Sequence, residues 1–389
     1  MGVSADPWTR AALWLAAWDS HGTHRTATDG DNAGAEWLAA AAAALGAEPA
    51  VEEFAIERLD PIAAFLEIGG DRIPAIPAFD APSTDHDGVG GRLGPVGGDA
   101  EIAVAELPPQ AVYCGEYERL RRVGCHRGFV ILCAGPSAGV ALLNAEKFRE
   151  PFGMPTLHVS SAARERVLTA AAQRSPARLV SASRRTTATA RNVVVALGGT
   201  GREEPAAIPL VVMTPRSSWW QSTAERGGGI VCWLETLRAL LQSRPSRPVM
   251  LTANSGHELG HLGLDDFIAR RPGWDRKTGE GGALWVHYGA NIGASDGALS
   301  LVSPDPRLRE LAATELARAG QPHTLAPPEL VPSGETRDIH RAGGRYLTLV
   351  GTNALFHLPQ DRWPDAVDVT AIARTAAAAS RVVSALAWG

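Results

Sequence analysis

Histidine and glutamate are concentrated in one short stretch, residues 257–261, whose sequence is HELGH. On a continuous helix, the H-E-x-x-H spacing places two imidazoles on one face, where they bind zinc, with the glutamate as general base. Gly256 and Gly260 disfavour a continuous helix here. Candidates for a third ligand are Asp265, Asp266 and His287. The pattern therefore keeps an HExxH zinc protease open as an alternative.

Other polar and aromatic side chains fall just after apolar, strand-like runs. Open α/β sheets bind ligands beyond the carboxyl ends of their strands, where arginine suits a carboxylate and tryptophan suits an apolar group. The predicted substrate-binding residues are Arg216, Trp219, Trp220 and Arg226. Buried salt bridges and packed indoles are an equally good explanation of the same residues.

Size and charge limit the classes of protein to consider. A chain of 389 residues exceeds the ~250–300 residues at which single cores stop growing, so two domains are expected. The formal net charge of -5 and the lack of a Lys/Arg block argue against nucleic acid and membrane partners. The apolar stretch 11–18 is too short for a signal or a membrane span, and the four cysteines lack C-x-x-C spacing. We therefore predict a cytoplasmic protein with a small-molecule or peptidic substrate, its oligomeric state being open.

The chain divides into three blocks that differ in residue composition and hydrophobic pattern. Residues 7–48 are typical of two helices around a polar loop, and residues 61–188 of short strands between Gly, Pro and Asp clusters. From residue 189, strands and helices alternate, which is typical of an α/β sheet. Predicted strands are 65–68, 77–89, 128–133 and 138–143, then 192–197, 210–213, 248–252, 284–287 and 346–350; predicted helices are 230–242, one beginning at 264–271, and 369–388.

The order of these pieces resembles the zinc aminopeptidases and carboxypeptidases related to leucyl aminopeptidase, glutamate carboxypeptidase and the transferrin receptor. The stretches that carry the resemblance are residues 192–195 (NVVV), the Gly-rich helix start at 227–229, Gly256-His257-Glu258, and residues 356–361 (FHLPQD). Residues 128–144 resemble the core of the protease-associated domain. The resemblance implies a mixed α/β sheet flanked by helices, formed by residues 1–60 and 189–389, with a β-rich protease-associated insert at 61–188.

The metal ligands of that family are only partly present. Its chemistry uses a bridging carboxylate, one His and one carboxylate for each of two zinc ions, and a Glu as base. Residues without a suitable donor stand at three matched positions: Pro215, Ser217 and Ala290. Three others keep one, and the resemblance implies that they form a single metal site: Glu225, Glu258 and His357.

Histidines lie beside the lost positions. His257 stands where the family has its base, and an imidazole can accept a proton near neutral pH, so His257 is the predicted catalytic residue. His261 and His287 are additional or alternative metal ligands. Glu335, Arg337 and Asp338 match a stretch near the family's active-site rim, and the sequence gives them no role.

The resemblance and the altered site together predict a peptidase-like hydrolase of an amide, a peptide or an N-acyl amino acid, working with one zinc or other divalent ion, or with none. A non-catalytic binding protein is one alternative, since the transferrin receptor has that role on this scaffold. A cyclase similar to the glutaminyl cyclases is another. The missing ligands favour a binding protein, whereas the concentration of polar residues at these loop positions favours an enzyme.

We predict that the pure protein lacks efficient two-zinc aminopeptidase activity. Pro215 and Ala290 supply no donor, so one of the two ions loses the ligands with which it would stabilise the developing charge. The test is hydrolysis of aminoacyl anilides in excess zinc, beside a two-zinc aminopeptidase as positive control. Efficient zinc-dependent cleavage would contradict the prediction.

Overall fold

The computed structural model describes residues 6–113, 115–133, 139–198, 208–243 and 245–388. Its helices are α1 (Pro7–Ser20), α2 (Asp29–Ala44), α3 (Gly115–Arg121), α4 (Arg164–Ala172), α5 (Gly228–Gln242), α6 (Leu262–Ala269), α7 (Pro306–Arg318), α8 (Thr336–Arg341) and α9 (Val369–Trp388). Its strands are β1 (Pro49–Ile68), β2 (Asp71–Pro77), β3 (Val89–Pro95), β4 (Ile102–Leu107), β5 (Gly128–Cys133), β6 (Thr156–Val159), β7 (Pro176–Leu197), β8 (Leu210–Pro215), β9 (Val249–Asn254), β10 (Leu284–Tyr288), β11 (Leu299–Val302), β12 (Thr324–Leu325) and β13 (Arg345–Gly351).

A mixed sheet forms the centre of the α/β part. Its strand order is β7-β9-β8-β10-β13-β11-β12, and the four strands β9, β8, β10 and β13 run parallel to one another. β7 pairs antiparallel to β9, and β11 antiparallel to β13. Every residue of β8 and β10 is buried, as expected for strands covered on both faces. The predicted fold class is therefore confirmed.

Helices cover both faces of this sheet. On one face, α1, α2, α5, α7 and α9 bury a large core that contains Trp18, Trp233 and Ile372. On the other face, α6 and α8 contribute to a smaller core around Phe267 and Ile339. Burial of such side chains is the main source of stability, because apolar surface leaves water.

Two long strands connect the central sheet to the insert. β1 and β7 pair antiparallel from Pro49 with Val195 to Ile68 with Ala177. β2, β6, β5, β4 and β3 extend the sheet beyond this ribbon and enclose a second core with Leu66 and Leu157. The predicted domain boundaries, 60/61 and 188/189, thus fall inside β1 and β7. Backbone pairing continues across them, and the division into two domains stays a prediction.

Two predicted strands of the insert are wrong in extent. The run 77–89 is interrupted after β2, because Asp85 accepts the N–H groups of Asp87 and Gly88 in a turn, and Gly88 has φ +71°. The described part of the predicted strand 138–143, residues 139–143, is irregular, and Ala138 lies outside the described residues.

Two expectations drawn from the composition concern membrane-spanning segments and the state of the cysteines. Within the described ranges, no helix is both long and apolar enough to cross a membrane. Cys125, Cys133 and Cys232 are free thiols, and Cys114 lies outside the described residues.

The glycine-rich start of α5 permits a close approach to the strand ends. A Cβ on Gly228 would lie 1.9 Å from the carbonyl oxygen of Ile292, and a Cβ on Gly229 would lie 2.5 Å from Thr214 Oγ1. Both distances are far shorter than a van der Waals contact. Glycine at these positions therefore lets the helix pack against β8 and the loop after β10.

We predict that Gly228→Ala destabilises the protein by roughly 1–3 kcal/mol, because the new methyl group must displace backbone at Ile292. The measurement is the midpoint of thermal unfolding. Gly115→Ala is the matched control, since Gly115 also begins a helix and a Cβ there meets nothing within 4 Å. Equal midpoints for the two variants would contradict the packing argument.

Candidate functional site

The candidate site lies at one edge of the sheet, where the parallel strands β8, β9 and β10 end. The chain continues from these ends into the loops 216–218, 255–261 and 289–293, and a π-helical turn, Thr223–Gly227, precedes α5. The loop 332–335 before α8 lies over the same edge. Because parallel strands end at a common edge, residues far apart in sequence meet there.

Glu225 and Arg226 form a buried ion pair in the π-helical turn. Oε1 of Glu225 lies 2.6 Å from Nη2 of Arg226 and 3.4 Å from Nε2 of His357. Burial alone would raise the pKa of Glu225, but the charge of Arg226 and the contact with His357 outweigh it and lower the pKa to about 2. His357 Nδ1 donates to the carbonyl of Leu142 at 2.5 Å, which leaves its Nε2 facing Glu225. The negative charge of Glu225 is thus already balanced within the protein.

Glu258 is buried next to this pair, but its carboxylate is held by hydroxyl groups. Oε1 accepts from the N–H of Thr26 at 2.7 Å and from its hydroxyl at 2.6 Å. Oε2 accepts from Ser217 Oγ at 2.6 Å. Burial raises the pKa of Glu258 in spite of these hydrogen bonds. Of the predicted metal set, the structure therefore brings together Glu225 and His357, whereas both oxygens of Glu258 are already used.

His257 belongs to a second group of polar residues, together with Glu335 and His287. Its Nδ1 donates to Glu335 Oε1 at 2.8 Å, and Glu335 Oε2 lies 3.5 Å from His287 Nε2. Burial lowers the pKa of His257 to about 4, helped by the charge of Arg226, so this ring is neutral at pH 7. Burial alone would raise the pKa of Glu335, but His257 and His287 hold it well below its usual range. The group thus consists of the Glu335 carboxylate, which lies between the neutral ring of His257 and the ring of His287.

His261 completes this group from the start of α6. Its Nδ1 lies 2.6 Å from Asp338 Oδ2, and its ring centre is 5.2 Å from that of His257. Burial alone would lower the pKa of His261, but the hydrogen bond to Asp338 raises it. His257, His261 and Glu335 are all buried, and one donor atom from each lies within 4.8 Å of the others. In the described part of the chain, no other three His, Cys, Asp or Glu residues meet in this way.

Strained backbone is concentrated around the site. Non-glycine residues with φ near +60° include His261 (+64°), Asn291 (+64°) and His357 (+62°). This left-handed conformation is unfavourable for residues with a Cβ, and such residues cluster at functional sites. The surrounding packing therefore holds the backbone of His261 and His357 in this unfavourable conformation.

A cavity of about 240 Å³ opens at this edge of the sheet. His257, His287 and Gly334 line one side of it, and Tyr113 and Phe356 line another. A larger cavity of about 580 Å³ shares Tyr113 and Ser333 with the first and is lined by Glu146, Arg337 and Asp338. The site thus has a small inner cavity beside a wider, charged outer one.

The four predicted substrate-binding residues lie outside the lining of the inner cavity. Arg216 is fully buried and donates to Asp31 and to the carbonyl of Arg191, so in this structure its donors hold the protein together. Trp219 is buried in a hydrophobic cluster, and its Nε1 donates to Asn144. Trp220 donates to the carbonyl of His357. Packing and hydrogen bonding, rather than ligand contact, account for both indoles in this structure.

Arg226 is the exception among these four, because it lies inside the site. Its Nε donates to the carbonyl of Ser217 at 2.8 Å. Its two terminal nitrogens are buried and have no partner with hydrogen-bond geometry in the described part of the chain, although Nη2 is 2.6 Å from Glu225 Oε1. The guanidinium of Arg226 therefore places a positive charge beside the carboxylate that matches the family's metal bridge.

Solved structures with the same fold are zinc aminopeptidases and related peptidases. The zinc aminopeptidase BSAP from Bacillus subtilis is 16% identical, with a TM-score of 0.79 over 98% of this chain and 95% of that one. The Peptidase M28 precursor from Shewanella amazonensis is 14% identical, with a TM-score of 0.75 over 98% and 95%. The aminopeptidase from Aneurinibacillus sp. strain AM-1 is 13% identical, with a TM-score of 0.71 over 98% and 94%. At these identities the likeness shows the fold alone.

Searches by sequence give no such match: no protein-family model matches the chain, and no curated protein matches it significantly. The structural matches alone therefore show that the fold is that of the zinc exopeptidases.

Several positions that the resemblance matches to the ligands of a two-zinc site carry no side chain that could bind a metal in this structure. Pro215 and Ala290 carry no donor atom, and Ser217 uses its hydroxyl on Glu258. The guanidinium of Arg226 stands 2.6 Å from Glu225, so a cation already neutralises this carboxylate. A further ion there would meet the positive charge of Arg226 at close range.

The resemblance matched Glu335 and Asp338 to a stretch near the family's active-site rim, but sequence reasoning gave neither residue a role in the site. Glu335 is 78 residues from His257 and follows Gly334, whose φ is +66°. Asp338 lies one helical turn later and reaches His261. Their positions depend on how α8 packs, which no local pattern encodes. The proposed third ligands Asp265 and Asp266 instead pair with Arg149 and Arg270.

We predict that Arg216→Ala lowers the free energy of unfolding by about 3–5 kcal/mol, because it leaves Asp31 buried without its charge partner. Chemical denaturation followed by fluorescence measures this. Arg119→Ala, which removes an exposed pair with Glu116, is the control and is expected to change the free energy by about 0.5 kcal/mol or less. A stable Arg216→Ala protein with weakened ligand binding would instead restore the substrate-binding role.

Proposed function

We propose that this protein hydrolyses an amide bond in a small peptidic substrate or an N-acyl amino acid, and that the reaction takes place in the inner cavity. The observation that carries the proposal is the lining of that cavity by His257, at the carboxyl ends of the parallel strands, where open α/β sheets bind their ligands. The solved structures of similar fold are described as aminopeptidases and a peptidase. We include one divalent metal ion in the proposal, since BSAP is a zinc aminopeptidase.

His257 is the central side chain in this proposal. Glu335 accepts its Nδ1–H, which fixes the orientation of the ring and leaves the second nitrogen with a lone pair. Because the pKa of His257 is lowered to about 4 by burial, that lone pair is free at neutral pH. A neutral, oriented imidazole beside a cavity can accept a proton, as its position in the sequence predicts, or bind a metal ion.

The cavities favour a small substrate with a polar extension. The inner volume of about 240 Å³ is below the ~300–1,000 Å³ typical of pockets for drug-sized ligands. Phe356 offers an apolar contact there. The outer cavity, with Glu146 and Arg337, offers charged groups to the rest of the substrate. A substrate suits this shape if its terminal one or two residues fit the inner cavity and its charged remainder lies in the outer cavity.

We predict that the protein cleaves members of a library of dipeptides and N-acyl amino acids, and that His257→Ala reduces turnover at least about 100-fold. Mass spectrometry of the reaction mixtures measures both. His86→Ala is the matched control, because His86 is an exposed histidine outside the site.

The outcomes separate the alternatives. Conversion of a substrate with loss of water and no cleavage would identify a cyclase. Saturable binding of library members without turnover would identify a binding protein and contradict the proposed hydrolysis. Equal turnover by His257→Ala and wild type would show that the reaction takes place elsewhere.

A further inference from the structure

We propose that His257, His261 and Glu335 bind a single zinc ion at a position displaced from that of the family. This deepens the proposed function, since it assigns the metal ion of that same cavity, although metal binding itself does not depend on hydrolysis. The lone pair of His257 then coordinates the metal, and His257 does not act as the general base that its sequence position suggests.

The first argument is the donor set. Two imidazoles and one carboxylate are the protein ligands of a common class of catalytic zinc site, which keeps its fourth position for water or substrate. One donor atom from each of the three residues lies within 4.8 Å of the others, and all three side chains are buried. Zinc lies about 2.0–2.2 Å from such ligands, so small inward movements would complete the coordination.

The second argument comes from unpartnered buried atoms. Within the described residues, Nε2 of His261, Oε2 of Glu335 and Nε2 of His287 are buried without a hydrogen-bond partner. Both oxygens of Glu225 and Nε2 of His357 are too, but Arg226 already supplies a positive charge there. Buried polar atoms normally have a partner, because an unsatisfied one costs about 1–3 kcal/mol. A cation at the common centre of the His261, Glu335 and His287 atoms would satisfy the first two, and His287 is close enough to Glu335, at 3.5 Å, to be a further ligand or to orient it.

The third argument is the carboxylate of Asp338, which orients the ring of His261. Asp338 accepts the Nδ1–H of His261 at 2.6 Å, which leaves Nε2 of His261 as its metal-binding atom. This is the carboxylate–histidine arrangement that surrounds zinc ligands in proteins and fixes their orientation.

The local charge favours a cation between His257, His261 and Glu335 over one beside Glu225, the position that the family resemblance implies. Glu335 has no Arg or Lys in ion-pair contact within the described residues, and the side chains that contact its carboxylate are the imidazoles of His257 and His287. Arg337, the nearest arginine along the chain, pairs with Glu146 at 2.5 Å. Glu225, by contrast, is neutralised by Arg226.

The inner cavity gives the ion access to a substrate. His257 and His287 line it, and Gly334 covers both rings, since a Cβ on Gly334 would lie 3.6 Å from Cε1 of each. A bound zinc ion supplies Lewis acidity and lowers the pKa of a coordinated water. The chain supplies the three ligands, the orienting Asp338 and the apolar contact of Phe356.

Metal analysis tests this site without any substrate. The full-length protein is stripped with a chelator, loaded with Zn²⁺ and desalted, and its zinc content and affinity are measured by mass spectrometry and calorimetry. We expect about one zinc per wild-type chain, with affinity reduced at least about tenfold in His261→Gln and Glu335→Gln. Glu225→Gln and His357→Gln, which change the family's position, are expected to keep the wild-type affinity. His86→Gln is the surface control.

Two results would overturn the inference. One is a folded wild-type protein that binds no zinc. The other is zinc that is lost with Glu225→Gln or His357→Gln and kept with His261→Gln. If a ligand variant fails to fold, Asp338→Asn replaces it: the three ligands remain, and a roughly 10–100-fold weaker affinity is expected from the loss of the orienting carboxylate. Unchanged affinity in Asp338→Asn would also count against the site.

These measurements separate the metal site from the reaction. Zinc bound by the expected residues with no hydrolysis would uphold the site and contradict the proposed function. Hydrolysis by folded protein that takes up no zinc on loading would uphold the function and contradict the site. Visible absorption of the Co²⁺-loaded protein adds a direct view of the coordination, since four-coordinate and six-coordinate cobalt differ strongly in intensity.

Discussion

The arrangement of the site depends on one buried carboxylate, that of Asp31 in α2. Its Oδ1 lies 2.7 Å from Nη1 of Arg216, and its Oδ2 accepts from Ser255 Oγ at 2.7 Å. Arg216 also donates to the carbonyl of Arg191 in β7. A helix, a strand and the loops after β8 and β9 are thus joined through a single ion pair. Buried pairs are tolerated only when their hydrogen bonds are satisfied in this way, because leaving water is costly for both charges.

Charge balance then explains why two neighbouring groups differ in what they can bind. Glu225 is matched by Arg226, and Glu258 is held by neutral hydroxyls, so neither needs an external cation. Within the described residues, the ion-pair partners of Glu335 are the imidazoles of His257 and His287. On this fold the edge of the sheet is acidic and rich in histidine, and the loop before α8 carries a carboxylate that contacts imidazoles and not an arginine within the described residues.

Much of the fold could be predicted from the sequence, because its signals are local. The apolar runs that became β8, β9 and β10, and the Ala-rich helix α9, have patterns that need no distant partner. The role of Arg216 could not be inferred, since an arginine after a strand looks the same whether it faces a ligand or Asp31. Glu335 was beyond reach for a related reason: its contact with His257 exists only after α8 has packed against β13.

The HELGH stretch shows how a motif can keep its chemistry and lose its usual geometry. His257 begins a short 3₁₀ turn, and His261 precedes α6 in a left-handed conformation, so the two rings do not share one helix face. They are nevertheless 5.2 Å apart. Gly260, with φ +81°, permits the turn that brings them together. The glycines that argued against a helical zinc motif are thus part of what assembles this cluster.

The central claim is that the cation-binding place of this scaffold has shifted to His257, His261 and Glu335. The most direct measurement is a crystal structure of the zinc-loaded protein, with diffraction recorded on both sides of the zinc absorption edge. The account predicts one anomalous peak about 2.0–2.2 Å from a nitrogen of each histidine and from an oxygen of Glu335. A peak between Glu225 and His357, or no peak in fully loaded crystals, would contradict it.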